Sequence, residues 1–563
     1  MPNFKVMNFQ GELPRLARRL LPEANAFQAW NCELLNGDLH PTRYSTPEGT
    51  NWAPAETPET IRAYYDTNGA FQGWIWLSHF NQELVIRPLP NDAHDRIYFL
   101  SSAGTLKVSD PSNFTFTGGR VNINTSQNAG IPQPTPRPTG VPTNGSSAVI
   151  FDLSYVITYV DDYGAEGPGS TPSPIYQVTS DGTVAITNND AGPASNVTKW
   201  RIYRSVTGTT STQYQYVGEE VIGTTAFTDN IGTTVPAETL VSETWYPPET
   251  SLQGMIHVGQ GVLCAFKENT IYFSEQYLPH AWPPSYSITI GADIVGLAVI
   301  SGSVVALTNG SPYVISGSIP SALTAQRMET EEACISQKSI ITAGSSVVYA
   351  SPNGLISLGL GQIANLTEQS LTREQWEKME PTEMRCYHYK DSVLAVYGNF
   401  TVSAPISLEQ EPFPQAGVME VDPGQQGFLT FHEVASKYAT VRSGDEKFFW
   451  ALENDATGYW ELYQFNPTPE SGGVEGEYTW RSKTFTAPRP IAMSSAQVDA
   501  ASYPVKMRVL ADGAVHWVGD VVNDRVFRLP PGKFKYWEIE LIGTPAIYKF
   551  GIATSVRDLA DQM

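Results

Sequence analysis

The sequence predicts an all-β fold, a β-propeller interrupted by a β-sandwich and followed by an antiparallel β domain. Three observations carry this. Short runs rich in Val, Ile, Tyr, Phe and Trp are cut at frequent intervals by Gly, Pro, Asn, Asp and Ser, and helical periodicity is rare. Segments of the form strand, Gly- or Asn-containing turn, strand recur, among them "DRIYFLSSAGTLKVSD", "GQGVLCAFKENTIYF", "SGSVVALTNGSPYVISG", "GSSVVYASPNGLISLG" and "SGDEKFFWALEND". Their spacing of roughly 40–50 residues is that of propeller blades, which bury by radial stacking the faces that one strand pair leaves open. Third, "YPVKMRVLADGAVHW" and "KYWEIELIG" alternate strictly, with Val505, Met507 and Val509 on one face and Trp537, Ile539 and Leu541 on another, as half-buried antiparallel strands do.

Taken in chain order, the opening is expected to hold one helix, "PEANAFQAWN", with Pro22 in its first turn and Glu23 favourable to the helix dipole. "CELLNGDLH" then places Asn36-Gly37 between two extended runs, a pair suited to the positive φ of a tight hairpin. These make a helix–hairpin docking segment over 1–60, and the first propeller strands occupy 61–127. "NAGIPQPTPRPTGVPTNGSS", residues 128–147, reads as an extended, exposed, proline-stiffened linker. The unit over 148–243 has the strand-and-turn rhythm of a small β-sandwich, and its "YVITYVDDYGAEGPGSTPS" and "WRIYRS" resemble immunoglobulin-like and fibronectin type III-like modules, which implies that the Tyr and Trp are core. The propeller resumes over 244–475, where Thr372 and Gln375 of "TREQWEKME" stand at capping-box spacing, and 476–563 form the C-terminal domain.

With 57 acidic and 35 basic residues, the net charge of -22 opposes sequence-independent DNA binding, which needs clustered cations to displace counterions. Cys32, Cys264, Cys334 and Cys386 are scattered, without a C-x-x-C pair, and are expected to be buried free thiols. No apolar run approaches the roughly 20 residues of a membrane helix, and the N-terminus has neither the apolar core of a secretory signal nor the acid-poor composition of a transit peptide.

Catalytic constellations appear only as near misses. No two histidines have the i, i+4 spacing of zinc ligands on a helix, and no G-x-S-x-G elbow is present. "GLGQIA" at 359–364 fits a loose dinucleotide pattern without the helix it requires, and reads as a blade turn. "SGDEKFFW", Ser443 to Trp450, matches the Asp-box of sialidase-type propellers except at Lys447; in those proteins the box is a structural turn. The acidic stretches "METEEA" and "SLEQEPF" lack a calcium-loop pattern. No enzyme, metal or cofactor is expected. The alternative is a carbohydrate-binding or polysaccharide-degrading propeller using some of the thirteen tryptophans, although tryptophan in blades is more often core.

The most informative stretch is then "GELPRLARRLLPEANAFQAWNCELLNGDLHPTR". Arg15, Arg18 and Arg19 are interspersed with Leu13, Leu16, Leu20 and Leu21, as in a segment docked on protein, and residues 1–45 hold five basic against four acidic side chains. The pattern is carried by Gly11, Pro14, Arg15, Leu20, Leu21, Pro22, Ala26, Ala29, Asn31, Leu34, Gly37, Leu39, Pro41 and Arg43. It resembles the N-terminus of tail nozzle proteins (tail tubular protein B) of short-tailed bacteriophages, or podoviruses. "DRIYFLSSAGTLKVSD" and "FRLPPGKFKYWEIELIGTPAIYKFGIATSVRDLA" point the same way, with the sandwich as an insertion. The resemblance implies a virion structural protein, assembled in the host bacterial cytoplasm. It implies a homo-hexameric ring at the distal tail, docked on the tail adaptor ring, anchoring fibres or spikes, and lining the exit channel for DNA ejection. An acidic or neutral lumen would let phosphate slide without sticking. Arg15, Arg18, Arg19, Leu20, Leu21, Asn31 and Arg43 are the expected assembly residues.

Overall fold

The computed structural model describes residues 3–34, 37–52, 57–190, 196–207, 212–398, 416–422, 428–434, 436–442, 444–454 and 456–560. The chain is all-β, the blade-like sheets of a β-propeller with an inserted sandwich and a C-terminal antiparallel block. It divides into two compact units, Met1–Ser78 with Thr117–Arg120 and Thr330–Met563, and His79–Phe116 with Val121–Glu329. Apart from single 3-10 turns, helix among the described residues is confined to Arg373–Lys378 and Val556–Ala560. No helix is long and apolar enough to cross a membrane.

The second unit contains three four-stranded antiparallel sheets and the sandwich. One sheet is built on the Ile97–Leu100/Leu106–Ser109 hairpin, and the others run in sequence order over Gln253–Thr289 and Ile294–Arg327. The recurring sequence segments are the hairpins of these sheets: Val262–Lys267 pairs Thr270–Phe273, and Ser303–Thr308 pairs Tyr313–Ser316. In the sandwich, Tyr155–Asp161, Val197–Thr207 and Thr212–Val221 form one sheet; Thr139–Thr143, Thr183–Thr187 and Ala226–Asn230 form another. Tyr155, Ile157, Tyr159, Val184, Ile186 and Trp200 fill the space between them. The proline-rich stretch 128–147 is therefore only partly the exposed linker expected. Thr135, Pro136 and Arg137 are exposed, but Ile131 is buried in the sandwich core and Thr139–Thr143 is a sandwich strand. Pro142 is admitted there because the strand lies at a sheet edge, where a missing N–H breaks no ladder.

The first unit holds further blades. Ile341–Asn365 forms a four-stranded sheet in sequence order; Ala439–Arg442, Lys447–Asn454 and Tyr459–Gln464 form another, completed by Thr46–Trp52 from near the N-terminus. "GLGQIA" and the Asp-box-like residues Gly444–Glu446 are the turns of these two sheets. Ser443 lies outside the described residues, as does "SLEQEPF".

The largest sheet of this unit comprises β1 (Gln10–Glu12), β2 (Asn25–Trp30), β3 (Arg385–Tyr389), β4 (Ser392–Gly398), β5 (Ala416–Val421), β6 (Leu429–His432), β7 (Tyr478–Ser482), β8 (Val505–Ala511), β9 (Ala514–Val521) and β10 (Phe534–Gly543), with Phe485–Ile491 added on β10. Its order is β3-β4-β5-β6-β1-β2-β7-β10-β8-β9. A four-stranded blade thus continues through two N-terminal strands into the C-terminal block, whose strands share a sheet with β3–β6 instead of standing apart. The alternation in the sequence is realised: Val505, Met507, Val509, Trp537, Ile539 and Leu541 are all fully buried.

The helix expected over "PEANAFQAWN" is a strand instead. Every residue of β2 except Phe27 is buried, so both strand faces are covered, and β2 runs parallel to β1 and antiparallel to β7. Local helix signals at Pro22 and Glu23 yield to this two-sided burial, which an amphipathic surface helix could not use. The hairpin forms, with Cys32–Glu33 paired to His40–Pro41, but its connection spans 34–39 and not two residues. Gly37 takes φ +87°; Leu35 and Asn36 lie outside the described residues. The capping box of "TREQWEKME" is formed, Thr372 accepting from the Gln375 N–H and Gln375 from the Thr372 N–H. All four cysteines are buried free thiols.

Candidate assembly surface

The conspicuous N-terminal segment is anchored at both ends and exposed between. At its start Gly11 lies so close to β6 that a Cβ would stand 2.5 Å from the Leu429 carbonyl oxygen, a contact only glycine permits. The Asn25 side-chain amide donates to the Gly11 carbonyl at 3.1 Å. Leu13 and Leu21 are buried on either side of the turn, and the Leu20 N–H donates to the Ala17 carbonyl, closing a 3-10 turn over Arg18–Leu20. Between the anchors the apolar side chains face solvent, Leu16 at 38% and Leu20 at 62% exposure.

The arginines divide by role. Arg15 donates to the Glu368 carbonyl, its own N–H donates to the Ser370 carbonyl, and Gln375 donates to the Pro14 carbonyl, so the turn is held by the stretch that leads into the helix Arg373–Lys378. Arg18 lies over the Phe27 ring at 3.7 Å and 3.9 Å from the Glu538 carboxylate. Arg481 shares both partners, 5.7 Å from the same ring and 2.6 Å from Glu538. Burial and the neighbouring Arg481 lower the pKa of Arg18. Arg18 therefore ties the turn to β10 while remaining exposed, as Arg19 is.

Asn31 and Arg43 lie apart from this turn, in the chain's internal wiring. Asn31 adopts φ +51°; its N–H donates to the Phe431 carbonyl, and its side-chain oxygen accepts the Glu433 N–H. The N–H of Arg43 donates to the Asn466 side chain at 2.9 Å, and its backbone bridges to Glu475. The structure thus brings Arg15, Arg18, Arg19 and Leu20 together on one turn, buries Leu21 beneath it, and separates Asn31 and Arg43.

Sequence reading missed Glu12, which locks β1 to β2. Its carboxyl group is fully buried and accepts the Ala29 N–H at 2.6 Å. Burial pushes its pKa well above the usual carboxylate range, only partly offset by that hydrogen bond. Cys32 and Tyr397 sit in the same low-dielectric environment; burial raises both, and the Glu12 charge adds to each. The folded pKa exceeds the unfolded one, so the stability that Glu12 contributes is fully present below about pH 4.5 and is lost as pH rises toward the folded value. Replacing Glu12 by Gln keeps the acceptor and removes the ionisation. The expected result is a melting temperature difference, mutant minus wild type, that grows between about pH 4 and pH 8. A difference constant across that range in thermal scans would contradict a neutral buried acid.

The second unit contains a cleft of about 540 Å³ lined by His94, Asp95, Asp110, Asn113, Asp162 and Tyr163. Asp110 there is a turn cap: it accepts the Ser112 N–H at 2.8 Å, the Asn113 amide at 2.9 Å and the Tyr163 hydroxyl at 2.6 Å. Burial raises its pKa, but these bonds outweigh it and hold the group below the usual range. Among the described residues no group of three or more His, Cys, Asp or Glu is placed to hold a metal ion. The tryptophans are largely core, with Trp74, Trp200, Trp376, Trp480 and Trp537 fully buried.

No protein-family model matches the chain, and no curated protein is similar to it in sequence. Among solved structures, the BBS1 N-terminal domain in complex with ARL6 is 11% identical, with a TM-score of 0.26, and the match covers 74% of this chain and 97% of that one. The N-terminal domain of Nup159 is 10% identical, with a TM-score of 0.23 and 61% and 87% coverage. Apo AztD from Citrobacter koseri is 12% identical, with a TM-score of 0.21 and 66% and 99% coverage. None of these likenesses identifies a function.

Proposed function

We propose that this chain is a ring-forming structural subunit of a short-tailed phage tail, the distal nozzle through which DNA leaves the particle. The observation that carries this reading is the Arg15–Leu20 turn, which is fastened on both sides yet turns Leu16, Arg19 and Leu20 outward. Exposed leucines next to unneutralised cations are what a surface bound by an acidic, partly apolar neighbour requires. The motif residues of the nozzle resemblance support it from within. Gly11, Leu21, Ala26, Ala29, Asn31 and Leu39 occupy tightly packed or left-handed positions. The net charge of -22 suits a conduit that must not retain DNA.

A homo-hexamer would dock on the tail adaptor ring and carry fibres or spikes. The test is imaging of the purified protein, with a six-fold ring expected. Arg15→Glu combined with Arg19→Glu should abolish the ring; because Arg15 also fastens the turn through the Glu368 carbonyl, Arg19→Glu alone, at a side chain that makes no ion pair among the described residues, serves as the variant that leaves that fastening in place. Intact rings from that double variant would sink the assembly role, and release of reducing ends from host polysaccharide would favour the carbohydrate-active alternative instead.

A further inference from the structure

One end of the largest sheet is β9. Seven of its eight residues pair with β8, His516 standing out at a bulge, and among the described residues β9 pairs on that side only. Long edge strands normally carry lysines, prolines or a cover that blocks further pairing. β9 has a bulge at His516 and an exposed Asp520, but it also exposes valines, with Val515 at 55% and Val518 at 51%, and Val522 follows at 68%.

Charge sets this edge apart as well. Residues 476–563 hold 11 basic and 9 acidic side chains, so the rest of the chain holds 24 of the 35 basic and 48 of the 57 acidic ones. On β9 and the segments beside it the exposed cations Lys506, Arg525, Arg528, Lys533 and Lys535 outnumber the exposed acids Asp512, Asp520 and Asp524. Lys506 is opposite Asp520 in the β8–β9 register. Lys533 and Lys535 flank Phe534, whose ring packs 4.8 Å from that of His516, and Arg528 follows Phe527, which lies 5.0 Å from Trp517.

A second edge of the same unit has the opposite character. Ile363–Asn365 closes the Ile341–Asn365 sheet and pairs on one side only. Ile363 is 44% exposed and Leu360 49%. The residues that follow expose Glu368, Glu374, Glu377, Glu380 and Glu383 against Arg373, Lys378 and the Arg15 docked on the Glu368 carbonyl. One edge is therefore apolar and basic, the other apolar and acidic.

We propose that β9 of one copy pairs with the Ile363–Asn365 edge of a second copy, an inference that rests on the self-assembly proposed above and adds a contact to that of the Arg15–Leu20 turn. The two edges differ, so the contact is heterologous: each subunit offers both halves and the pairing propagates from copy to copy. Main-chain hydrogen bonds supply the contact, the valines pack on Leu360 and Ile363, and the charges select the register.

The test uses the full chain with Val518→Cys in one preparation and Ile363→Cys in another, mixed under oxidised glutathione. The four native thiols are buried and do not compete. The expected result is a covalent dimer in the mixture and none in either preparation alone. Lys533→Glu with Lys535→Glu in the Val518→Cys chain should cut the yield about tenfold at low salt, where exposed charges are least screened. Circular dichroism checks folding, and Val515→Cys replaces any Val518→Cys protein that fails it. Dimers from the Val518→Cys chain alone, no dimer from the mixture, or a yield indifferent to the lysine reversals would each overturn the pairing. Cross-linked dimers without six-fold rings would keep the pairing and remove the nozzle reading; rings without cross-links would do the reverse.

Discussion

Asp229→Ala is expected to destabilise the sandwich by about 3–5 kcal/mol, because it strips the partner from a buried cation. Asp229 is fully buried, and Arg204 reaches it with Nη1 at 3.1 and 2.9 Å from its two carboxylate oxygens. The Tyr155 hydroxyl donates to the same carboxylate at 2.8 Å, and Arg204 Nη2 donates to the Thr234 carbonyl at 3.2 Å. Burial and the adjacent Asp229 charge both push the Tyr155 pKa upward, so the tyrosine stays a neutral donor. The network joins the strands carrying Tyr155, Arg204 and Asp229, which lie in both sheets of the sandwich. Amide hydrogen exchange of the Tyr155–Asp161 and Val197–Thr207 strands in urea reads the effect. The paired replacement Arg204→Met with Asp229→Leu should recover most of the loss, since it leaves no charge unpaired. A loss below about 1 kcal/mol for Asp229→Ala would mean that water reaches Arg204 and that the pair behaves as a surface one.

Trp480→Ala is expected to cost a similar amount, about 3–5 kcal/mol, and to loosen the N-terminal strands selectively. Trp480 is fully buried on β7; its ring meets Phe9 edge-on at 5.0 Å and Phe550 at 5.8 Å. Its indole N–H donates to the Gln10 carbonyl at the start of β1. Truncation therefore opens a cavity at the point where the two ends of the chain meet, and removes a donor from β1. Limited proteolysis should release a fragment ending near Pro14–Leu20 from the mutant at a denaturant concentration that leaves the wild type intact. Equal resistance of the two proteins would show that β1 is held by the Gly11 and Glu12 contacts alone. Trp480→Phe keeps most of the ring volume and is expected to lose much less.

The blades were legible in the sequence because each is a local object. In "GQGVLCAFKENTIYF" and "SGSVVALTNGSPYVISG" the strand, the turn and the returning strand lie within about twenty residues, and period-two burial is recorded in the residue types themselves. The capping box at Thr372 and the alternation of Val505, Met507 and Val509 were legible for the same reason. The N-terminal segment was not. "PEANAFQAWN" carries sound helix-start signals, and what overrides them is a strand pairing with residues 479–482, more than four hundred positions away. The basic turn was visible as composition, but only folding separates Arg18, spent on Phe27 and Glu538, from Arg19, which faces solvent.

The sequence by itself determined the all-β class, the blade hairpins, the inserted sandwich and the buried thiols, since each follows from side-chain polarity over a short window. Tertiary structure alone decided that the chain's first strands complete the sheet joining a blade to the C-terminal block, that Glu12 is sealed inside it, and that β9 and Ile363–Asn365 are left as edges. The physical reason is the range of the interaction. Burial pattern and turn chemistry act between near neighbours, whereas strand partners, and the edges they leave unpaired, depend on which distant segments compete for the same backbone hydrogen bonds.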